Sequence, residues 1–412
     1  MTEAPIGAGR RAALPFILVV VFIDVLGIGL AMPVLPMLVG DYTPSRDLQA
    51  YWYGALVIVY GLMQFFCAPL LGALSDRFGR RPVILASIFG LGVHYLLLAI
   101  APSLWFMLLA RVLGGITGAS FSVANAYASD ISSAEGRARS FGLIGAAFGA
   151  GFIFGPVFGG LLGSIDLHLP FYVAAGLALL NGLYGAFVVP ESLPPERRAP
   201  FALRRANPFT ALLALSRHRE VGRLVLVFAL IVLAQLILQT TWVLFTHFRF
   251  GWGPRENGFA LFCVGVVAAI VQGALLGRLL GRFGEVRLAL LGLSIGTVAY
   301  VLYGLATQGW MMYAIIVGNF ISFAAGPALQ GIVSNAVGPR EQGVTMGALS
   351  SIQSIMFVIA PAIGTPLLAL VSHLPPLDWR VGITFYVSAA LQAVALLVAR
   401  RHFAVQEVAR AA

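Results

Sequence analysis

Apolar runs of bilayer-spanning length recur along this 412-residue chain from residue 12 to residue 401, with only short polar connectors between most of them. Each run needs roughly 20 residues to cross the hydrocarbon layer as a helix. Hydrophobic residues make up 59% of the chain and charged residues 10%, whereas a soluble domain carries about a quarter charged residues. A water-soluble core needs no such excess, so a membrane domain occupies nearly the whole chain. The first run, 13–39, is too long for the apolar part of a signal peptide, lacks a small-residue cleavage site and holds Asp24 in its middle, so it is expected to stay in the mature protein.

Charge clusters and Pro/Gly-containing connectors divide the runs into twelve expected helices, 13–39, 51–74, 82–101, 103–129, 138–163, 169–189, 222–246, 255–281, 286–306, 310–336, 342–371 and 380–402. One connector, containing PESLPPERRAP and RHREVGR, is far longer and more polar than the rest. It divides the chain into an expected six-helix bundle at 1–189, a cytoplasmic linker at 190–221 and a second six-helix bundle at 222–412. GALSDRFGRRPVILAS follows the second helix of the first half, and GRLLGRFGEVRLALLG follows the second helix of the other. Matching position and matching sequence indicate duplication. The expected fold is all-α and polytopic, two pseudo-symmetric bundles with a substrate site at the midplane between them.

The net charge of +10 comes from arginine alone, since the chain has no lysine. Given these helices, 21 of the arginines fall on one side of the membrane, and Arg46, Arg249, Arg255 and Arg380 fall on the other. The positive-inside rule makes the first side, with both termini, cytoplasmic. Such scattered arginines form no nucleic-acid stripe. Cys67 and Cys263 lie inside apolar runs and are expected to pack there, with neither a disulfide framework nor a metal-ligand spacing.

Asp24 is the one acidic residue in the middle of an apolar run. A carboxylate there costs about 2.5–3.5 kcal/mol on insertion scales and must face a cavity or a partner. It is the expected proton-binding group, with a structural tie to a neighbouring helix as the alternative. Arg111 in the fourth run keeps its proton, but it can bias Asp24 as a nearby opposite charge or simply pair with it. His94 in the third run can titrate near neutral pH, although a lone histidine on an apolar helix is more often a packed residue. Gln64, Asn125, Gln235, Gln239, Gln272, Asn319, Gln330, Asn335 and Gln353 are uncharged polar groups inside runs. Some are expected to line a wet cavity and bind substrate, the others to hydrogen-bond across helices.

Two glycine patterns stand out. In the loop GALSDRFGRR, which opens at Gly72, Asp76 lies beside Arg77, Arg80 and Arg81 with Gly79 allowing a tight turn, a charge cluster able to lock one conformation through ion pairs. In the fifth run Gly145, Gly149, Gly151, Gly155, Gly159 and Gly160 permit close approach of helix backbones, either as static packing or as a moving interface.

At these residues the chain resembles the drug/proton antiporters of the major facilitator superfamily. Residues 72–81 match that family's G-x-x-x-D-R-x-G-R-R loop, and Gly151, Gly155, Pro156, Gly159 and Gly160 match its antiporter motif G-x-x-x-G-P-x-x-G-G. The likeness to the tetracycline/proton antiporter group extends over roughly 24–397, through DVLGIGLAMPVLP, SDRFGRRPV, GGITGAS, WVLFTHFRFGW and PALQG. It implies export of tetracycline-like or other amphipathic drugs in exchange for protons. It also implies roles for Asp24, Asp76, Arg80, Arg111 and Asp130, with Asp130 pairing with Arg80 at a cytoplasmic gate. Where that group tends to have Asp, His and Asp in helices three, eight and nine, this chain aligns His94, Ala268 and Gly296. Coupling is thereby confined to the first half, at Asp24 with His94.

The expected partners are a small amphipathic substrate, protons and the lipid bilayer of a bacterial inner membrane, with the chain acting as a monomer. The proton gradient supplies energy, and no cofactor, metal or nucleic acid is expected. Without lysine a G-x-x-x-x-G-K-[ST] phosphate loop is impossible, and no catalytic constellation is evident. A metabolite transporter remains an alternative within the class, since a fold does not fix a function. A membrane sensor or enzyme is the alternative outside it.

Overall fold

In the computed structural model the described residues are 8–118, 120–131, 137–200, 219–335 and 342–411, and all regular structure among them is helical. In lipid a helix pairs its own backbone groups within one segment, which is why apolar runs of this length adopt it. The first part of the chain forms α1 (Ala8–Ala31), α2 (Leu35–Asp41), α3 (Arg46–Phe78), α4 (Arg80–Ala99), α5 (Leu104–Thr117), α6 (Ser120–Ile131), α7 (Arg137–Gly163) and α8 (Leu169–Val188). The second forms α9 (Arg219–Phe250), α10 (Pro254–Ile270), α11 (Leu276–Phe283), α12 (Glu285–Leu305), α13 (Gly309–Gly318), α14 (Ala325–Asn335), α15 (Gln342–Val371) and α16 (Ile383–Ala411). Ten helical stretches among the described residues are long and apolar enough to cross a membrane, and an eleventh is the pair α13 and α14, bent by 52°. The chain is a multi-pass membrane protein.

Several expected runs are broken, for local reasons. The run 13–39 divides into α1 and α2 at Pro33, whose ring nitrogen cannot continue the ladder, and the Met32 N–H is shared between the carbonyls of Ile28 and Gly29 at 3.2 and 3.3 Å. The run 103–129 divides at Gly118, the last described residue before α6, and Gln64 Nε2 donates to the Gly118 carbonyl at 3.1 Å. A π-helical turn, Val271–Leu275, interrupts the run that contains α10 and α11. The bend between α13 and α14 falls at Asn319 and a short 3₁₀ segment, Phe320–Ala324. Of the expected linker, residues 201–218 lie outside the described residues.

The chain forms two compact units. The first takes Met1–Tyr42, Val59–Asn207 and Pro254–Phe259; the second takes Thr43–Ile58, Pro208–Gly253 and Ala260–Ala412. In the first, α1 packs on α6, α7 and α8, and α4 on α5, α6 and α8. Its core includes Phe16, Ile17 and Val20 of α1, Ile84 and Ile88 of α4, and Val123 and Tyr127 of α6. In the second, α9 packs on α14, α15 and α16, and α12 on α14 and α16, around Phe228, Leu288, Leu293, Leu329 and Ala395.

Candidate functional site

Four helices of the first unit bring ionisable groups into one buried neighbourhood. Asp24 on α1 is 8% exposed. One turn on, Gly27 leaves room for Tyr95 of α4, since a Cβ at Gly27 would fall 2.8 Å from the Tyr95 hydroxyl oxygen. The Arg111 guanidinium, on α5, lies 4.3 Å from the centroid of the Tyr60 ring, a cation–π contact that holds a cation without deprotonating it.

His94 adjoins this group. It is 1% exposed, its Nδ1 lies 2.7 Å from the Ala110 carbonyl, and its ring centroid is 5.0 Å from that of Tyr95 and 6.2 Å from that of Tyr60. Gly114 makes space for it, because a Cβ there would meet Nδ1 at 2.6 Å. A carboxylate among two phenols, an imidazole and a fixed cation can gain and lose a proton against a constant positive charge. Tyr60 and Tyr95 escape a reading of the sequence because an aromatic residue on an apolar run reads as core.

The turn from α3 to α4 holds the second cluster. Gly79 has φ +103°, a region glycine enters without strain, and this places Asp76 and Arg80 side by side. Arg80 Nη1 lies 2.6 Å from Asp76 Oδ1 and donates to Ser75 Oγ at 2.6 Å, while its Nε donates to Asp130 Oδ2 at 3.1 Å. Asp130 sits at the end of α6, so one guanidinium joins α3, α4 and α6. Arg81 turns away and donates to the Ala186 carbonyl at 2.5 Å. Arg77 is exposed over Phe78, and Gly72 supplies only its carbonyl, to Ser75 Oγ at 2.8 Å. Two members were unseen in the sequence. Ser192 Oγ donates to Asp130 Oδ2 at 3.3 Å, and the Glu191 carboxylate accepts the backbone N–H groups of Arg80 and Arg81 at 2.8 and 3.3 Å. The acid in PES was legible, but not the helix start it meets.

The glycine motif of α7 sets backbone against backbone. A Cβ at Gly151 would lie 2.8 Å from the Phe22 carbonyl oxygen, one at Gly155 2.6 Å from the Gly29 Cα, and one at Gly159 2.7 Å from the Leu30 Cα. Gly160 turns to the first turn of α10, where its Cβ would lie 2.6 Å from the Pro254 carbonyl oxygen, and the Pro156 ring lies 2.9 Å from a Cβ placed at Gly29. Gly145 and Gly149 face open space and take no part.

The uncharged polar groups separate by environment. Gln64 is used at Gly118, and Asn319 Nδ2 donates to the Tyr303 hydroxyl at 3.3 Å while its Oδ1 accepts from Ser322. Gln235, Gln272, Gln330, Asn335 and Gln353 are exposed, Gln239 is half-buried, and the Asn125 side chain lies outside the described residues. At Gly296 a side chain would meet the Gln392 amide, which donates to the Leu293 carbonyl at 3.2 Å.

Residues 17–361 match the Major Facilitator Superfamily. The chain is 41% identical to the tetracycline resistance protein, class C, of Escherichia coli over 389 residues, 94% of this chain and 96% of that one. It is 37% identical to the class G protein of Vibrio anguillarum over 404 residues, 96% of this chain and 98% of the relative. The crystal structure of the human organic anion transporter MFSD10 superimposes with a TM-score of 0.68 at 26% identity, covering 96% of this chain and all of that one.

Proposed function

The chain belongs to the Major Facilitator Superfamily, and from that premise we propose that it exports tetracycline-like amphipathic drugs in exchange for protons, with Asp24 as the coupling carboxylate. It is a transporter and not an enzyme. The burial of Asp24 on α1, one turn before the Gly27 against which Tyr95 packs, is the observation that carries the assignment. Ionised, the carboxylate answers the fixed charge of Arg111; protonated, it leaves that charge to the Tyr60 ring. One group therefore has a distinct partner for the fixed charge in each protonation state, as exchange of a proton for a drug requires.

His94 holds the α4–α5 contact through Ala110, so we assign it to positioning the centre rather than to carrying the proton. In the second unit, Gly296 against the Gln392 amide offers no titrating group, which keeps the coupling in the first unit. The Asp76–Arg80–Asp130 cluster is the gate, made and broken as access alternates. The glycines of α7 give that motion a flat, close-packed surface. The arginine distribution supports an inner-membrane setting with both termini cytoplasmic. The chain works as a monomer in the bilayer, powered by the proton gradient with no other cofactor.

The test is proton release from the detergent-purified protein in weak buffer as tetracyclines and other amphipathic drugs are added. Release by the wild type that is lost in Asp24→Asn, with drug binding retained, is expected. Equal release from both proteins would remove Asp24 from the coupling step, and no release with binding present would point to an uncoupled carrier.

A further inference from the structure

α4 starts without a cap of its own. Its first N–H groups have no partner inside the helix, and the N-cap position is Gly79, which has no side chain to offer and whose φ of +103° favours glycine. The cap arrives from 111 residues away. Glu191 accepts from Arg80 N at 2.8 Å with one carboxylate oxygen and from Arg81 N at 3.3 Å with the other, and also accepts from Leu193 N at 3.0 Å. A carboxylate at a helix N-terminus is further favoured by the helix dipole.

The neighbours of Glu191 fasten the same segment to the same cluster. The Tyr127 hydroxyl donates to the Pro190 carbonyl at 2.8 Å, Ser192 Oγ donates to the Asp130 oxygen that Arg80 also uses, and Ala199 N donates to the Asp76 carbonyl at 3.1 Å. Asp76 is thus held at its carboxylate by Arg80 and at its carbonyl by Ala199.

The second unit repeats the turn without this assembly. Gly284 has φ +72° as Gly79 has +103°, but Glu285 stands where Arg80 does and Gly281 where Asp76 does. Among the described residues the Glu285 carboxylate accepts from the neutral Asn335, at 3.4 and 3.5 Å. Among the described residues the charged bridge belongs to the first unit alone, where the linker segment seals it.

We propose that residues 190–199 are a strap that forms part of the gate, with Glu191 as its positioning residue: by capping the first turn of α4 it sets the Arg80 guanidinium between Asp76 and Asp130. This rests on the reading of that cluster as a gate. The linker then does more than tether two halves, because its first ten residues determine whether the bridge can form.

The test uses the full-length protein in nanodiscs for hydrogen–deuterium exchange and in proteoliposomes for tetracycline transport. Glu191→Ala is expected to speed exchange in the first turn of α4 about tenfold, as for loss of a helix cap. Turnover should fall by a similar factor, with KM for tetracycline within about twofold of wild type. Glu191→Gln keeps one acceptor oxygen and should recover part of both effects. Unchanged exchange would overturn the capping, and faster exchange with wild-type turnover would reduce the strap to packing. Wild-type turnover in Arg80→Ala would overturn the gate instead, leaving the exchange result to decide the cap by itself.

Discussion

Arg80 reaches Asp130 through Nε at 3.1 Å and Asp76 through Nη1 at 2.6 Å, so two different nitrogens of one guanidinium serve two carboxylates on two other helices. The Arg80 side chain is 12% exposed and that of Asp130 25%, which protects this bridge from the screening that makes surface pairs weak. A lysine keeps the charge but offers one nitrogen. Arg80→Lys is therefore expected to cut transport about tenfold, nearly as much as Arg80→Ala, at unchanged expression. Initial rates in proteoliposomes check this, and full activity in the lysine variant would show that charge alone suffices.

Tyr60 separates a cation–π contact from simple filling of space. Phenylalanine keeps the ring under the Arg111 guanidinium, at 4.3 Å in the wild type, whereas leucine removes it, and such contacts are worth about 0.5–2 kcal/mol. Tyr60→Phe should release protons on drug addition as wild type does. Tyr60→Leu should move the pH of half-maximal release, because Arg111 would then weigh differently on Asp24. Identical pH profiles for both variants would take Tyr60 out of the coupling centre.

The glycines of α7 make a paired prediction on one helix. At Gly159 a Cβ would strike the Leu30 backbone, which cannot give way, while at Gly149 it would meet nothing within 4 Å. Gly159→Ala is expected to destabilise the protein by about 1–3 kcal/mol, as overpacking does. Gly149→Ala should be neutral or stabilising, by up to about 1 kcal/mol from helix propensity. Thermal unfolding in detergent measures both, and equal effects would show that the α1–α7 contact is looser than the structure has it.

A pH dependence follows from the loop before α16. Arg380 donates to the Asp378 carboxylate from Nη2 at 2.7 Å, from Nε at 3.0 and 3.2 Å and from its own backbone N–H at 2.9 Å. These bonds hold that carboxyl at about 2 instead of the ordinary 3.8. A carboxyl whose folded value is depressed stabilises fully above its unfolded value and loses that contribution as pH falls through the folded one. Buried Arg249 ties the same loop to the end of α12, through the carbonyls of Asp378 at 2.8 Å and Ala306 at 2.6 Å. Asp378→Asn should therefore melt below wild type at pH 7, and the gap should close between about pH 4 and pH 2. A gap that does not change with pH would assign the loss to loop geometry instead of charge.

Local chemistry made much of this protein readable from its sequence. The length and apolarity of the runs determine membrane helices, because a backbone in lipid has no other partner than itself. Asp24 declares itself by the cost of a charge in hydrocarbon, and the glycine motifs by the absence of side chains where helices must touch. Which other groups meet was decided by the tertiary structure. The family resemblance already pointed to Arg80 with Asp130, 50 residues apart, but Arg80 and Glu191 are 111 residues apart, and no periodicity within one helix reports such a pairing. Tyr60 and Tyr95 look like core in the chain and become part of a charged site only when α1, α3, α4 and α5 converge. The bend between α13 and α14, the break at Pro33 and the borrowed cap of α4 likewise arise because an interrupted backbone needs hydrogen-bond partners, and folding decides which residues supply them.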